Sequence, residues 1–523
     1  MRILITASGI QEYIFGIKER QASRRLRGRS SRLGLVIDLC QLLLKRYFGE
    51  IDIKRNAGSR LEVEVPLETP ELNNRLEKLR EELDRHSRED LDGQVWFAVA
   101  QGIPQELYED LGARKLNLGR GILQSGTTWN EEKFLFERST NERVLEDAVE
   151  AGKYPLPDAD LGSKVVHLRD ALITLRSRTS EDGRDKLFLV DYIADMHAIR
   201  LGETGKGVGL KLPEKESPGV RPLYKAMARH APIDPADAEG KRLLDFDGIA
   251  KKSEGSRFLG VLKADLDNLG TTFQNLPSDK VGELSRSLEI FFTEDLERML
   301  RTPRDSVHDY SFNYIVYSGG DDLFMFGPWD KLIRFADDLH DKLQSRINEW
   351  KRDQSQLNLT LSAGFKLAHP KSPVRFLAED VEEALEQAKG HWRIPAKLPD
   401  KNRISVFERV LAWDELRKGL QLADEFIPAL KEQKLSVGFL QRFQYYASQF
   451  RWYEAGHIEG LRMIPLLQND WHRNSQGLDD TLRQRLNQVI EQLLKPMATE
   501  TARSWRIMDF ASRFALYAAR SKE

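Results

Sequence analysis

Residues 314–326 read YIVYSGGDDLFMF, and this segment decides the fold of the chain around it. Two apolar runs, residues 314–317 and 323–326, flank the polar connector SGGDD. Because glycine adopts positive φ at no steric cost, the paired glycines predict a tight turn, and the whole segment predicts a β-hairpin. The two adjacent carboxylates at its tip repel each other. They form either a solvated, aspartate-rich turn or a site for a hard divalent cation such as Mg²⁺.

A second segment supplies further carboxylates. Residues 258–268 read FLGVLKADLDN, an apolar run that ends in acidic residues. A strand that ends in carboxylates, beside a hairpin that carries two more, provides oxygen ligands for two metal ions above a phosphate. The two segments together predict four metal ligands, which are Asp265, Asp321, Asp322 and Asp267.

Asp267 and Asn268 each allow a second interpretation. Side chains alternate along a strand, so Asp267 shares a face with Asp265 only if the strand continues that far. Otherwise Asp267 caps the helix that follows. Asn268 either hydrogen-bonds a nucleotide or forms the helix cap itself.

Length and composition restrict the class of protein. A chain of 523 residues exceeds one ordinary core, so we expect about three or four domains. Its net charge of −2 means that any nucleic-acid surface must be local. The single cysteine, Cys40, excludes an intrachain disulfide and a multi-cysteine zinc site, and we expect it in a core. Without a signal-peptide pattern or an apolar run of membrane-spanning length, the sequence predicts a cytoplasmic protein that contacts no membrane.

The order of predicted elements repeats along the chain. Strand, helix, strand, turn, strand, helix and strand follow one another in residues 2–100 and again in residues 258–366, which is the split βαβ order of ferredoxin-like domains. In this alignment SGIQ stands where DLDN stands and NAGS stands where GGDD stands, so the first copy lacks the carboxylates.

The predicted fold class is therefore α+β, with two ferredoxin-like palms, an insert between them and a C-terminal helical bundle. The predicted domains are a degenerate first palm, an insert without a zinc site, a second palm with the GGDD site and a helical domain, at residues 1–103, 104–255, 256–407 and 408–523. Within the insert we expect order at residues 186–197 and loops at residues 201–221, which are rich in glycine, proline and charge. The helical domain either docks a partner or packs on the second palm.

A basic run lies near the N-terminus. Residues 18–32 read KERQASRRLRGRSSR, with seven basic residues and one acidic residue. Such a density of cations fits contact with RNA phosphates or with a triphosphate, through Arg24, Arg25, Arg27 and Arg29. The alternative is a solvated helix face.

Four stretches together resemble one family. They are SGIQEYIF with LRGRS, GVLKADLDNLG, YSGGDDLF, and LSAGFKLAHPKSPV with AEDVEEALEQAKG. With them the chain resembles the large, palm-containing GGDD polymerase subunit of type III CRISPR effector complexes, which makes cyclic oligoadenylates. The GGDD tetrapeptide alone would not separate this family from diguanylate cyclases.

The resemblance implies a substrate, a cofactor and partners. ATP is the expected substrate and Mg²⁺ or Mn²⁺ the expected cofactor, and the implied catalytic residues are Asp265, Asp321 and Asp322. The expected nucleotide contacts are Ser318, Gly319, Gly320, Asn268 and Lys389. Lys389 resembles a family lysine that holds the triphosphate, although a lysine at a helix end is also favoured by the helix dipole. The expected partners are guide RNA, target RNA, and the backbone and small helical subunits of the complex.

One departure from the family pattern limits the expected activity. The chain begins at the first palm rather than with an HD nuclease domain, so we expect no HD-type DNA cleavage from it. The dipeptides His308-Asp309 and His340-Asp341 are interpreted as incidental. Two other classes stay open: a non-catalytic scaffold that holds guide RNA and neighbouring subunits, and a GGDEF-like dinucleotide cyclase, which would use a GGDEF or GGEEF hairpin.

Overall fold

The computed structural model of the chain describes two large regions and several short segments between them. The described residues are 1–16, 26, 30, 33, 40, 43–45, 47–57, 60–66, 72–90, 94–102, the strands between 163 and 225, 230–232, 234–236, 244–319, 322–353, 357–390, 401–478, 480–495 and 500–520. The predicted RNA-binding arginines Arg24, Arg25, Arg27 and Arg29, together with Gly320 and Asp321, lie outside them. The chain divides into two compact units. The first unit consists of residues 1–243 and 277–293, and the second unit consists of residues 244–276 and 294–523.

The first unit contains a four-stranded antiparallel sheet in the order β2-β3-β1-β4. Its strands are β1 (Arg2–Ser8), β2 (Asp52–Ala57), β3 (Arg60–Glu64) and β4 (Trp96–Gly102), and its helices include α1 (Ile10–Phe15) and α2 (Leu72–Asp90). Leu76, Leu79 and Leu83 are buried at helical spacing on α2, so one apolar face of that helix packs into the core. Cys40 is buried, as predicted.

Between residues 163 and 225 the first unit contains two three-stranded antiparallel sheets. One consists of β5 (Ser163–Leu168), β6 (Ala171–Thr179) and β7 (Lys186–Ile193), and the other of β8 (Ile199–Thr204), β9 (Gly207–Lys211) and β10 (Pro222–Lys225). The prediction of loops over residues 201–221 is therefore wrong for the part that forms β8 and β9. Glycine and charge content predicted loops, whereas the alternation of Ile199 with Leu201 and of Val208 with Leu210 is the period of a strand.

The second unit contains a six-stranded sheet in the order β12-β13-β11-β14-β15-β16. The strands are β11 (Leu259–Asp267), β12 (Tyr314–Gly319), β13 (Asp322–Pro328), β14 (Thr360–Ala368), β15 (Arg403–Val406) and β16 (Arg409–Ala412). All neighbours pair antiparallel except β14 and β15. The order β12-β13-β11-β14 within this sheet corresponds to the order β2-β3-β1-β4 of the first sheet.

The helical segment between β11 and β12 is interrupted at two points. A short helix α3 (Phe246–Ala250) precedes β11, and after β11 come α4 (Leu269–Asn275), α5 (Ser278–Ile290), a π-helical turn (Phe291–Asp295) and α6 (Leu296–Arg301). Pro277 separates α4 from α5, because proline lacks an N–H donor and its ring clashes with a preceding helical turn. Residues 277–293 belong to the first unit.

Two glycines show that the second sheet is covered on both faces. A Cβ on Gly260 would lie 2.9 Å from the Cα of Trp329, in helix α7 (Trp329–Asp353). A Cβ on Gly364 would lie 2.4 Å from the backbone nitrogen of Leu385, in helix α8 (Val374–Ala388). Gly364 pairs with Lys263 of β11, so Gly260 and Gly364 face opposite sides of the sheet. Helices α7 and α8 therefore pack on opposite faces.

A strained turn within the second sheet packs against a C-terminal helix. Phe407 and Glu408 join β15 to β16 with φ of 51° and 62°, the geometry of a two-residue hairpin turn. The Phe407 ring lies 6.3 Å from the ring of Trp329 and 5.7 Å from that of Phe510. This packing offsets the cost of positive φ at residues other than glycine. The helices that follow are α9 (Trp413–Lys431), α10 (Val437–Glu454), a 3₁₀ turn (Ile458–Arg462), α11 (Met463–Asn474), α12 (Asp480–Leu493) and α13 (Thr501–Ala518).

Both His-Asp dipeptides have local partners. His340 is buried on α7, where its ring stacks on Trp413 at 4.5 Å, and burial lowers its pKa to about 4. His308 contacts the carboxylate of Asp305 at 2.9 Å. Over the part of the chain that the structure describes, no helix combines the length and the apolar character needed to cross a bilayer.

Asp330 provides a test of the packing at the start of α7. The buried carboxylate accepts the backbone N–H of Glu254 at 3.1 Å, and burial raises its pKa to about 6. At pH values between the ordinary pKa of an aspartate and about 6, Asp330 is protonated in the folded state and ionised in the unfolded chain. The stability that Asp330 contributes is therefore complete at low pH and is lost as the pH rises through about 6. The free energy of unfolding of Asp330→Asn minus that of the wild type is therefore expected to rise by about 1 kcal/mol from about pH 5 to about pH 7.5.

Urea denaturation at the two pH values measures that difference. The matched control is Asp480→Asn, because Asp480 also lies in the first turn of a helix but is exposed. The change for Asp330→Asn is read against the change for this control. A flat profile for Asp330→Asn would mean that the Asp330 carboxyl titrates in the folded state as in the unfolded chain.

Candidate active site

The predicted hairpin is confirmed. Strands β12 and β13 pair antiparallel up to Gly319 opposite Asp322, with one irregularity between Ile315 and Tyr317. A Cβ built on Gly319 meets no atom of the described residues within 4 Å, so among those residues nothing crowds the backbone beside Asp322. A phosphate group can approach such a backbone closely.

Asp265 and Asp322 lie side by side on the same face of the sheet. They are directly opposed residues of the antiparallel pair β11 and β13. Opposed residues have Cβ atoms about 4.5–5.5 Å apart and side chains on one face. The central spatial prediction, that the end of β11 and the hairpin bring their acids together, is confirmed for these two carboxylates.

Lys389 completes this group. Its Nζ lies 2.7 Å from Asp265 Oδ2 and 3.9 Å from Glu386 Oε1. The residue caps the C-terminus of α8, and Gly390, at a φ of 84°, ends the helix there. Burial lowers the pKa of Lys389, but the attraction and hydrogen bond of Asp265, followed by Glu386 and Asp267, outweigh it and hold the pKa above its ordinary value. Lys389 is therefore a fixed positive charge beside the two carboxylates.

A second ion pair positions α8 on this face. Lys263, only 3% exposed, lies two residues before Asp265 and pairs with Glu382 of α8. Gly364 stands opposite Lys263, and its lack of a Cβ admits the α8 backbone at that point. Glu382 and Lys389 are seven residues apart, which is about two helical turns, so both reach β11 from one helix face. Sequence reasoning missed Lys263 and Glu382. The signal was a lysine within an apolar strand, in phase with Asp265.

Asp267 also lies on this face, because β11 continues through it. It is 2% exposed, and its Oδ2 accepts hydrogen bonds from the hydroxyls of Thr360 at 2.8 Å and Ser362 at 2.9 Å and from the N–H of Asn402 at 3.1 Å. Its Oδ1 has no hydrogen-bond partner among the described residues. Asp267 therefore ties β11 to β14 and to the backbone at Asn402, and it does not cap α4. Its predicted role as a metal ligand stays a prediction.

Asn268 occupies the N-cap position of α4 at a φ of 63°, without a side-chain capping bond. Its Oδ1 accepts a hydrogen bond from Lys401 Nζ at 2.8 Å, and its Nδ2 donates to the carbonyl of Asn358 at 3.3 Å. Lys401 and Asn402 also have positive φ, 73° and 54°. Three residues other than glycine in this conformation converge on the end of β11, and such strain is typical of functional sites. Sequence reasoning also missed Lys401.

Ser318 lies on the other face of the sheet. It pairs with Leu323, which pairs with Ala264, so its side chain points away from Asp265 and Asp322, and it is buried. The structure thus brings together Asp265, Asp322, Gly319 and Lys389, and it separates Ser318 from them. For Ser318 the predicted nucleotide contact stays a prediction.

The donor atoms present fit a hard divalent cation. Asp265 and Asp322 offer carboxylate oxygens on one face, which is the chemistry that Mg²⁺ prefers. Over the described residues alone, no group of three or more His, Cys, Asp or Glu side chains is arranged to hold a metal. The third predicted ligand, Asp321, lies outside those residues.

Comparison with known proteins identifies relatives of this chain. Residues 258–404 match the family model for the second palm domain of Cas10/Cmr2. A subtype III-A protein of Methanocaldococcus jannaschii, the CRISPR system single-strand-specific deoxyribonuclease Cas10/Csm1, is 33% identical over 223 residues, covering 39% of this chain and 27% of the relative. The Thermococcus onnurineus protein of the same name is 26% identical over 451 residues, covering 79% of this chain and 55% of the relative. The chain thus spans about a quarter to about half of these relatives.

Solved structures have the same fold. A Csm1–Csm4 cassette in complex with cA3 superimposes with a TM-score of 0.66 at 18% identity, covering 99% of this chain and 69% of the solved chain. A cassette in complex with one ATP gives a TM-score of 0.67 at 17% identity, covering 99% and 70%.

The sheets, the hairpin and the helical C-terminal region define an α+β protein of the palm-domain class. Within this class, residues 258–404 match the second palm domain of Cas10/Cmr2, and the chain is similar to the Cas10/Csm1 proteins of subtype III-A CRISPR systems. The family resemblance seen in the sequence motifs is confirmed.

The pair of Lys263 and Glu382 can be tested by stability. Glu382→Gln is expected to lower the free energy of unfolding by about 2 kcal/mol, because it leaves the Lys263 ammonium buried without its partner. Adding Lys263→Met removes the buried charge and is expected to recover most of that loss. Urea denaturation followed by circular dichroism measures both changes.

The control lies on the same helix. Glu379 pairs with Arg375 at 2.9 Å with both side chains exposed, so Glu379→Gln is expected to change the free energy of unfolding by less than about 0.5 kcal/mol. If Glu379→Gln and Glu382→Gln destabilised the protein equally, burial of the Lys263 pair would not be what holds α8 in place.

Proposed function

We propose that this chain is the catalytic large subunit of a type III CRISPR RNA-guided effector complex and makes cyclic oligoadenylate from ATP when target RNA is recognised. The observation that carries the proposal is the placement of Asp265 opposite Asp322, with Lys389 2.7 Å from Asp265. Support also comes from solved Csm1–Csm4 cassettes in complex with ATP, AMPPNP, cA3 and cA4. The reaction class is nucleotidyl transfer.

The roles of the residues follow from their chemistry. Asp265, Asp321 and Asp322 would hold Mg²⁺ or Mn²⁺, and Asp267 would support them from the same strand. A bound divalent ion offsets phosphate charge and favours deprotonation of an attacking hydroxyl. Lys389 binds triphosphate oxygens as a point charge once they compete for its contact with Asp265.

Nucleotide binding would involve the rest of the predicted set. Gly319 and Gly320 allow close approach of the phosphates, and Asn268 and Ser318 are the proposed ribose or base contacts. Lys401 orients the Asn268 amide, because its ammonium must face the oxygen rather than the NH₂ group. The N-terminal sheet is inferred to be a second, degenerate ferredoxin-like palm, which its matching strand order supports.

Partners are proposed on the same basis. The Csm1 neighbours were solved with Csm4 and belong to the type III-A CRISPR–Csm interference complex. We therefore propose that this chain assembles with backbone and small helical subunits around guide RNA and target RNA, in the cytoplasm. Curated relatives of this chain are named single-strand-specific deoxyribonucleases, and the function proposed here is the nucleotidyl transfer alone.

One assay separates the proposal from its alternatives. The assembled complex is incubated with ATP, Mg²⁺ or Mn²⁺ and matching target RNA, and the products are resolved by chromatography. Release of pyrophosphate together with ring-shaped adenylates is expected. Consumption of GTP instead would favour the GGDEF-like cyclase, and inertness would favour the scaffold.

Substitutions test the residues. Asp265→Asn and Asp322→Asn are each expected to lower the rate of adenylate synthesis at least about 100-fold, because each removes a proposed metal-binding carboxylate. Size-exclusion chromatography should show unchanged assembly. Glu379→Gln, an exposed carboxylate of α8, is the control and should keep full activity. Joint loss of activity and assembly in the aspartate variants would assign these residues a structural role.

The basic run has its own test. Replacing Arg24, Arg25, Arg27 and Arg29 by Gln is expected to weaken RNA-dependent activation, because fewer RNA phosphates are neutralised. The difference from the wild type should shrink as the salt concentration rises. Equal activation at low salt would assign the run to a solvated surface.

A further inference from the structure

Three arginines surround one buried aspartate in the second unit. Asp509 of α13 is 1% exposed. Its Oδ2 accepts hydrogen bonds from Arg409 Nε at 2.9 Å and Arg451 Nη1 at 3.0 Å, and its Oδ1 accepts one from Arg513 Nε at 2.9 Å. The three arginines come from three elements, since Arg409 begins β16, Arg451 lies on α10 and Arg513 lies on α13. We call these four residues the Asp509 cluster.

The Asp509 cluster carries excess positive charge. At Asp509 three guanidinium groups share one carboxylate. At the buried Asp295, by comparison, two arginines, Arg298 and Arg346, meet two carboxylates, because Arg346 also pairs with Glu349. One further acid, Glu454, attracts Arg451 but forms no ion pair with it among the described residues. Burial lowers the pKa of Arg451, and repulsion from Arg409 and Arg513 lowers it further against the attraction of Asp509. Each of these observations indicates uncompensated cationic charge.

The cluster also has hydrogen-bond donors to spare. Within the described part of the chain, Arg513 donates only through Nε and Arg451 only through Nη1, both to Asp509. Their remaining N–H groups have no protein acceptor there. The Arg451 side chain is 37% exposed and that of Arg513 is 23% exposed, so both are accessible to a ligand. A planar guanidinium fork matches the oxygens of a phosphate group.

The packing around the cluster holds it rigid. The Phe407–Glu408 turn fixes Arg409, whose Nη1 also donates to the Glu408 carbonyl at 2.8 Å. Trp505 of α13 contacts Phe443 and Phe450 of α10 at ring distances of 5.2 and 5.3 Å, which holds Arg451 beside α13. Preorganised donors lose little conformational entropy on binding.

We propose that Arg409, Arg451 and Arg513 form a binding site for a phosphate group, either of an RNA backbone or of a free polyphosphate, with Asp509 as the buried anchor that sets their spacing. The site is distinct from the carboxylate group at the GGDD hairpin and does not depend on the nucleotidyltransferase proposal. Its partner is recognised by charge and geometry, so the site carries no base specificity.

The full-length chain is tested with two probes, a fluorescein-labelled single-stranded RNA of mixed sequence and inorganic pyrophosphate. Arg451→Gln combined with Arg513→Gln is expected to lower RNA affinity about 10-fold at low salt and to reduce the slope of log K against log salt concentration by about 1. If the ligand is a free polyphosphate, the same variant loses the thermal stabilisation that pyrophosphate gives the wild type. Unchanged behaviour toward both probes would overturn the proposal.

Two further variants keep the test decisive. Arg442→Gln removes an arginine of α10 that pairs with Asp470, and among the described residues no second arginine pairs with this carboxylate. This variant should leave both readouts unchanged. An equal loss in Arg442→Gln would attribute the effect to general surface charge and overturn the site.

Arg451→Lys combined with Arg513→Lys keeps the charge if the glutamine variant fails to fold. It should retain the salt slope while losing affinity, because lysine lacks the guanidinium fork. Wild-type affinity in a folded lysine variant would also overturn the proposal.

Discussion

The rest of the second unit depends on the neutralisation of charges on one face of β11. This strand is covered by helices on both faces, yet Lys263, Asp265 and Asp267 all lie on the face toward α8. An ionised group buried without a partner costs several kcal/mol, whereas an exposed ion pair contributes about 0–1 kcal/mol. The groups that neutralise these charges come from α8 and from the backbone at Asn402. They therefore influence the local geometry far more than the many exposed ion pairs do. The position of α8 follows from these contacts.

Much of this arrangement could be predicted from local sequence. The hairpin followed from paired glycines between apolar runs, and Asp265 opposite Asp322 followed from a strand that ends in acids. The Lys263–Glu382 pair could not be predicted, because 119 residues separate its members and their register depends on where α8 crosses the sheet. Lys401 was missed for the same reason. The strands at residues 199–211 were missed because composition was weighed above alternation.

Local strain and charge occur together at the two ends of the second sheet. At one end Asn268, Lys401 and Asn402 adopt positive φ around the end of β11, and at the β15–β16 turn Phe407 and Glu408 do so beside the Asp509 cluster. Residues other than glycine keep this conformation only where surrounding contacts determine it, at a cost of about 1–3 kcal/mol each. In both places a residue with positive φ, or the residue next to it, donates a hydrogen bond: Lys401 donates to Asn268, and Arg409 donates to Asp509. The strained backbone therefore holds these donors in positions that a regular strand would not give them.

Comparison of the two main sheets shows that their shared strand order does not require charged residues in the central strand. The first sheet has the same strand order as β11 to β14 of the second sheet. Its strand β1, which corresponds to β11, carries no ionisable residue from Ile3 to Ser8. A core of Ile3, Leu4 and Ile5 is therefore sufficient for this topology. In β11 the equivalent central position contains three charged residues whose desolvation opposes folding unless each finds a partner. Since the fold forms without such charges, their presence in β11 is better explained by the chemistry of the hairpin site than by stability.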